Sequence, residues 1–143
     1  MTEPEQTRQN ARPTHSDPRR IVVVGPCAAG KTTLVNALHA LGYDARVSGQ
    51  EHSEIATLWQ HTQPDVLIAL EVDIAAVRDR RGGSWPEWLH DRQVKRLTTA
   101  SKAADLTIDT TELSAQSVIE RVVAYLEGRQ RTGQATRREA GRG

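Results

Sequence analysis

Short apolar runs alternate with amphipathic stretches along this 143-residue chain, and the periods differ between the two. Ile21-Val22-Val23-Val24 is an unbroken β-branched run, which predicts a buried strand. Lys31 to Leu41 follows with Leu34, Leu38 and Leu41 at i, i+4 and i+7, one face of a helix that Gly42 ends. Tyr43 to Val47 alternates as a short strand, and Ser48-Gly49-Gln50 turns the chain. A second helix is predicted over 53–61, burying Ile55, Leu58 and Trp59 and stopping before Pro64. Asp65 to Glu71 is apolar from Val66 to Leu70, a strand covered on both faces and therefore central. Ile74 to Arg81 predicts a short helix broken by Gly82-Gly83-Ser84. A helix from Trp85 to about Ala104, a strand over Leu106 to Asp109 and an amphipathic helix over Ser114 to Glu127 complete the series, with Val118, Val122, Tyr125 and Leu126 inward. Strand and helix alternate four times, the signature of a three-layer α/β domain on a minimal parallel sheet of about four strands, the first of them interior.

The flanks lack this periodicity. Residues 1–19 hold three prolines and almost no aliphatic side chain, and 128–143 are dominated by Arg, Gly, Gln and Thr; both are expected to be disordered around a domain at 20–127. Charge divides the same way. The formal net charge is +1, yet residues 21–127 carry ten basic and fourteen acidic residues. A nucleic-acid-binding core is thus disfavoured, and with no Phe and two Tyr so are base-stacking platforms. The basic tail leaves contact with an anionic or protein partner open. A single cysteine, Cys27, precludes an internal disulfide and fits a reducing, cytoplasmic setting; no apolar run approaches a membrane span.

Candidate chemistry lies between the first strand and first helix. Gly25-Pro26-Cys27-Ala28-Ala29-Gly30-Lys31-Thr32 matches G-x-x-x-x-G-K-[ST] without a gap, in the strand–loop–helix setting that the motif requires. Such a P-loop wraps backbone N–H groups around phosphate oxygens at a helix N-terminus. Gly25, Ala28, Ala29, Gly30, Lys31, Thr32 and Thr33 form the expected cradle, with Lys31 on the outer phosphates and the Thr32 hydroxyl on Mg²⁺. Cys27, inside the loop, is read as a filler; the alternative is a thiol that the helix dipole makes sensitive to oxidation, with its test in nucleotide affinity after mild peroxide treatment.

The order of elements resembles the small P-loop kinases of metabolites and nucleotides, among them shikimate, gluconate, adenylylsulfate and dephospho-coenzyme A kinases. Beyond the loop, the resemblance rests on Pro64-Asp65 leading to Leu70-Glu71-Val72-Asp73, on Arg78-Asp79-Arg80-Arg81, and on Ala104 to Thr111 before the last helix. It implies a P-loop nucleoside triphosphate hydrolase fold, Arg80 and Arg81 as lid cations over a triphosphate, and Asp109, Thr110 and Thr111 near the base. The alternative for Arg78, Arg80 and Arg81 is the favourable placement of cations at a helix C-terminus. Arg92 and Arg96, on one helix face with Trp88, either enter the cleft or are solvated.

The carboxylate partner of the loop is less defined. Glu71 ends the central strand and Glu51 stands beyond the second; either can serve the metal or act as base. Glu51 is preferred because Arg46, Gln50, Glu51, His52 and Ser53 make a polar cluster with no evident core duty, although Ser48 and Glu51 also fit a capping box. Asp73 is expected to cap the helix after it. With space for one short helix between second strand and Pro64, a nucleotide acceptor is disfavoured. The expected function is Mg²⁺-dependent transfer of the γ-phosphoryl group of ATP to a small acceptor, the alternative being an ATPase switch or adaptor read by a protein partner. The guanine-specific Asn-Lys-x-Asp motif is missing from the sequence, which favours ATP.

Overall fold

The computed structural model describes residues 20–142, with side chains described as far as Arg129. The segment 1–19 and the side chains of the expected Arg-rich tail beyond Arg129 lie outside the described residues. Four strands, β1 (Ile21–Val24), β2 (Ala45–Val47), β3 (Val66–Glu71) and β4 (Leu106–Asp109), form one sheet in the order β2-β1-β3-β4. Every pairing is parallel, with Ile21 opposite both Ala45 and Val66, and Glu71 opposite Asp109. The loop-bearing strand is interior, as the continuous apolar run requires: all four residues of β1 are fully buried.

Helices α1 (Lys31–Ala40), α2 (Ile74–Arg81), α3 (Glu87–Arg96), α4 (Thr98–Ala103) and α5 (Ala115–Arg142) complete the layers. Alternation along the strands sends Ile21, Val23, Ile68 and Leu70 to one face, where Leu34, Leu38, Val122 and Leu126 from α1 and α5 cover them. Val22, Val24, Leu67 and Ala69 point the other way, against Trp59, Leu97 and Ala100. The α/β sandwich and its four-stranded sheet are those expected. Among the described residues no helix is long and apolar enough to cross a membrane.

Departures occur where the pattern was short. Residues 53–61 do not form an α-helix: a bend leads into a 3-10 segment at Leu58–Thr62, Ile55 is exposed and Trp59 alone is buried. The cause is Gln50, fully buried, whose side-chain oxygen accepts from Trp59 N at 2.9 Å while its amide donates to Ile55 O at 2.7 Å. Those bonds replace a helical ladder with a loop wrapped around one side chain. The expected helix over 85–104 is two, α3 and α4, divided at Leu97. On α1 the buried face is Leu34, Val35 and Leu38, whereas Leu41 is exposed at the helix end. The last helix continues past Glu127 to Arg142.

Candidate active site

Backbone geometry builds the phosphate loop. A Cβ on Gly25 would lie 2.8 Å from Leu70 O, so only glycine lets β1 turn off against β3. Ala28 (φ 66°) and Gly30 (φ 102°) are left-handed, the alternation that turns successive N–H groups to one side as an anion nest. No side chain caps α1, whose first turn presents the exposed Thr32 and Thr33 beside the loop. The N-terminus is therefore left open for an anionic ligand, which fits a phosphate. Thr32 offers the hard oxygen that Mg²⁺ takes.

Lys31 is folded under this loop and largely buried, its Nζ donating to Gly25 O at 2.7 Å and Pro26 O at 3.0 Å. At 3.1 Å it also meets Glu51 Oε2, a carboxylate with only 4% of its surface exposed. Glu51 arrives because parallel β1 and β2 end together, and Ser48 N donates to Val23 O to hold the register beyond β2. The Gln50–His52 turn is a 3-10 segment without a side-chain cap, so the capping box from Ser48 is not formed. His52 Nε2 stands 3.3 Å from the same Glu51 oxygen, and Glu51 Oε1 is buried with no hydrogen-bond partner.

The remainder of the proposed polar cluster has structural duties. Gln50 is the plug already described, Ser53 Oγ accepts from Ile55 N, and Arg46 pairs with Asp44 at 3.2 Å. On α3, Arg96 donates to Glu51 O at 3.1 Å and to Glu54 Oε2 at 2.6 Å, while Arg92 lies 3.5 Å from Glu54; Trp88 faces solvent. The Arg96 guanidinium beside Glu54 holds that carboxyl below its ordinary value, with Arg92 and Lys95 adding to the effect. A cavity of about 260 Å³ lies among Glu54, Ala56, Arg92, Lys95 and Arg96.

Sequence reasoning missed Gln93. It is 2% exposed, and its Oε1 accepts from Cys27 N at 3.0 Å while its Nε2 donates to Cys27 Sγ at 3.2 Å. The signal was available in His90, Gln93, Leu97 and Ala100, whose spacing marks the buried face of α3 and α4 and places an amide on it.

On the far side of the loop, a cavity of about 210 Å³ is lined by Ala28 to Gly30, Thr33, Leu34, Arg80, Thr110, Leu113, Ala115 and Val118. Arg80 reaches it but is tied down: Nη1 donates to Ala28 O at 2.7 Å, and Nη2 to Thr110 O at 2.5 Å. Thr110 is buried, its hydroxyl 3.1 Å from both Ala29 O and Glu71 O. Thr111 accepts from Asp73 N through Oγ1. Hydrogen bonds from the Thr111 hydroxyl and amide hold the Asp109 carboxyl below its ordinary value. Asp73 caps α2 by accepting from Ala76 N.

Arg81 lies over the Trp85 ring at 5.0 Å, and Arg78 Nε donates to Trp85 O, folding the glycine turn back on α2. Glu71 is exposed at the end of β3, in a cavity with Pro26, Asp73, Val94 and Asp109. The structure thus gathers Lys31, Glu51, His52, Cys27 and Gln93 at one mouth, and Arg80 with Thr110 at the other. Glu71 lines the cavity with Pro26, whose carbonyl accepts from Lys31, and Arg81 is engaged by Trp85.

No family model matches the chain, and neither does any curated protein. A search of solved structures finds shikimate kinase from Bacteroides thetaiotaomicron, 15% identical, with a TM-score of 0.48 over 77% of this chain and 99% of that one.

Proposed function

We propose that the protein binds ATP with Mg²⁺ and transfers the γ-phosphoryl group to a small anionic acceptor. The observation that carries this reading is the buried Glu51 carboxylate held 3.1 Å from the phosphate-loop lysine. A carboxylate excluded from water beside a lysine has the right chemistry for a base next to a phosphoryl donor. When phosphate enters the loop, Lys31 exchanges Glu51 and the two carbonyls for phosphate oxygens, and Glu51 becomes an acceptor for the proton of an incoming hydroxyl. The hydroxyl oxygen then bonds to the γ-phosphorus, the bond to the bridging oxygen breaks, ADP departs, and the proton resides on Glu51. Thr32 would be among the groups that hold Mg²⁺, which would supply charge neutralisation on the phosphates. Glu71 is the further carboxylate available to its water shell.

The acceptor sits between Glu51 and α3, where Arg92, Lys95 and Arg96 favour a carboxylate, phosphate or sulfate substituent. The nucleoside lies toward the cavity of Arg80 and Thr110, where Arg80 fixes the loop and Thr111 borders the site. Incubation of the full chain with γ-labelled ATP and a panel of small anionic alcohols should place label on an acceptor. Label released only as free phosphate would overturn transfer. The thin wall over 53–63, loops and a 3-10 segment rather than a helical insert, supports the second reading, a switch completed by a protein partner; its signature is phosphate release stimulated by a cell extract.

A further inference from the structure

The mouth of the loop holds more than phosphoryl transfer requires. Cys27, Glu51 and His52 each offer one ligand atom there, a sulfur, a carboxylate oxygen and a ring nitrogen all within 4.8 Å of one another. We propose that these three residues form a binding site for a borderline-soft divalent ion, Zn²⁺ being the representative, seated over the phosphate loop in the nucleotide-free protein.

Four features support a built site. The donor set is the first: thiolate and imidazole select Zn²⁺ over Mg²⁺, and three protein ligands with one open position are a familiar zinc arrangement. Ideal bond lengths of about 2.0 to 2.3 Å put neighbouring ligands of a tetrahedral ion somewhat under 4 Å apart, so the cluster needs only a small closure of side chains. The second is Glu51 itself. Its Oε1 is buried without a hydrogen-bond partner, which is costly for a charged group, and a cation on this carboxylate relieves it.

Third, the ligands are positioned from outside. Gln93 Nε2 donates to Cys27 Sγ at 3.2 Å and Gln93 Oε1 fixes the Cys27 amide, the kind of outer contact that orients a metal ligand. Cys27 and the Glu51–His52 turn hang from the ends of two paired strands, so the sheet sets their separation. Fourth, the cluster reaches solvent at His52, which is largely exposed, while Glu51 is buried. The positive neighbour, Lys31, retains Gly25 O and Pro26 O as acceptors when a metal takes Glu51 from it. Thiolate and carboxylate together carry two negative charges against the two of the ion, and the thiol proton passes to solvent on binding. Binding would withdraw Glu51 from the proton-accepting role of the proposed reaction, so the ion acts as a brake; that consequence alone rests on the phosphotransfer reading.

The test uses the full chain without nucleotide. Zn²⁺ titrated calorimetrically should bind one per chain, and Co²⁺ in its place should show a thiolate charge-transfer band in the near ultraviolet. Cys27→Ser should abolish the band and weaken Zn²⁺ at least about tenfold, since even an outer partner costs roughly 10–100-fold. His52→Ala, a change at an exposed side chain, should weaken Zn²⁺ similarly with the band retained, and keeps the test open if Cys27→Ser fails to fold. Unchanged affinity in His52→Ala, competition by millimolar Mg²⁺, or binding lost in His61→Ala instead would each overturn the site, the last by showing an adventitious surface histidine. Because nucleotide is left out, a failure of phosphoryl transfer leaves these outcomes unaffected.

Discussion

The two sides of the phosphate loop are built by different means. Toward Arg80 and Thr110, the loop is held by backbone carbonyls: Ala28 O and Ala29 O accept from a guanidinium and a buried hydroxyl, and Gly25 is pressed against β3. Toward Glu51, it is held through side chains that can change partner: Lys31, paired with Glu51 and donating to Gly25 O and Pro26 O, and Gln93, which accepts from Cys27 N and donates to Cys27 Sγ. A backbone clamp keeps one shape whatever is bound. A side-chain clamp exchanges partners, and the proposed chemistry needs that on the acceptor side, where Lys31 must release Glu51 before phosphate can take it. The contrast predicts that changes on the Glu51 side alter turnover or binding, whereas changes on the Arg80 side alter stability.

The largest expected effect is on turnover. Glu51→Gln keeps the shape of the side chain and removes its basicity, so phosphoryl transfer should fall by roughly 10²–10⁴-fold, the usual contribution of a general base. ATP affinity measured by calorimetry should not weaken, since Lys31 no longer leaves an ion pair to reach phosphate. Weakened ATP binding with transfer intact would reverse the assignment.

Next comes Lys31→Ala, which acts on both sides. Losing several charge-assisted bonds to phosphate, each worth about 1.5–3 kcal/mol, should weaken ATP by at least about 100-fold. Isothermal titration of the purified variant checks it, and unchanged affinity would sink the whole placement of triphosphate in this loop.

Arg80→Ala should show the other behaviour. It removes the guanidinium bonds to Ala28 O, Thr110 O and Thr110 Oγ1, which are exposed or partly buried and can turn to water, a loss of about 0.5–1.5 kcal/mol in urea unfolding. Arg80→Lys should recover only part, because a single ammonium cannot span the same carbonyls. If turnover instead collapsed with stability unchanged, Arg80 would be a charge-stabilising group on the phosphates, and the division between the two sides would fail.

This division also explains how much of the molecule could be read in advance. The sheet, the interior position of β1 and the loop were legible because Ile21 to Val24 and Val66 to Leu70 are continuous runs next to a complete motif, signals carried by neighbouring residues. Asp73 as the cap of α2 was legible for the same reason. Gln50 and Gln93 were not. Gln50 is made internal by bonds to Ile55 and Trp59 within the loop that it plugs, and the helix spacing of His90, Gln93, Leu97 and Ala100 puts Gln93 on a buried face without naming Cys27, 66 residues away, as its partner. Glu51 was reached through a polar cluster whose other members turned out to have structural duties, so the residue was found on an argument that holds for it and His52 alone.

The smallest effect sharpens the comparison through pH. Glu54, on the acceptor side, is held below its ordinary value of 4.5 chiefly by its hydrogen bond from Arg96, and Asp109, at the end of β4, is held below 3.8 by Thr111. A carboxyl whose pKa is lower when folded contributes stability that is fully present above the ordinary value and is lost as pH falls through the folded one. Both losses therefore fall at acid pH, with none between pH 6 and 8. As both groups are exposed, solvent screening keeps the contributions small. Removing Glu54 as Glu54→Gln should make urea midpoints slightly less sensitive to acid below about pH 4.5, and should leave Arg96 bonded to Glu51 O. The useful outcome is the pairing of this result with transfer assays at neutral pH. If Glu54 does no more than hold Arg96, Glu54→Gln changes KM for an anionic acceptor and spares kcat, because Glu51 still takes the proton. A fall in kcat with KM unchanged would move the acceptor-side carboxylate from Glu51 to Glu54.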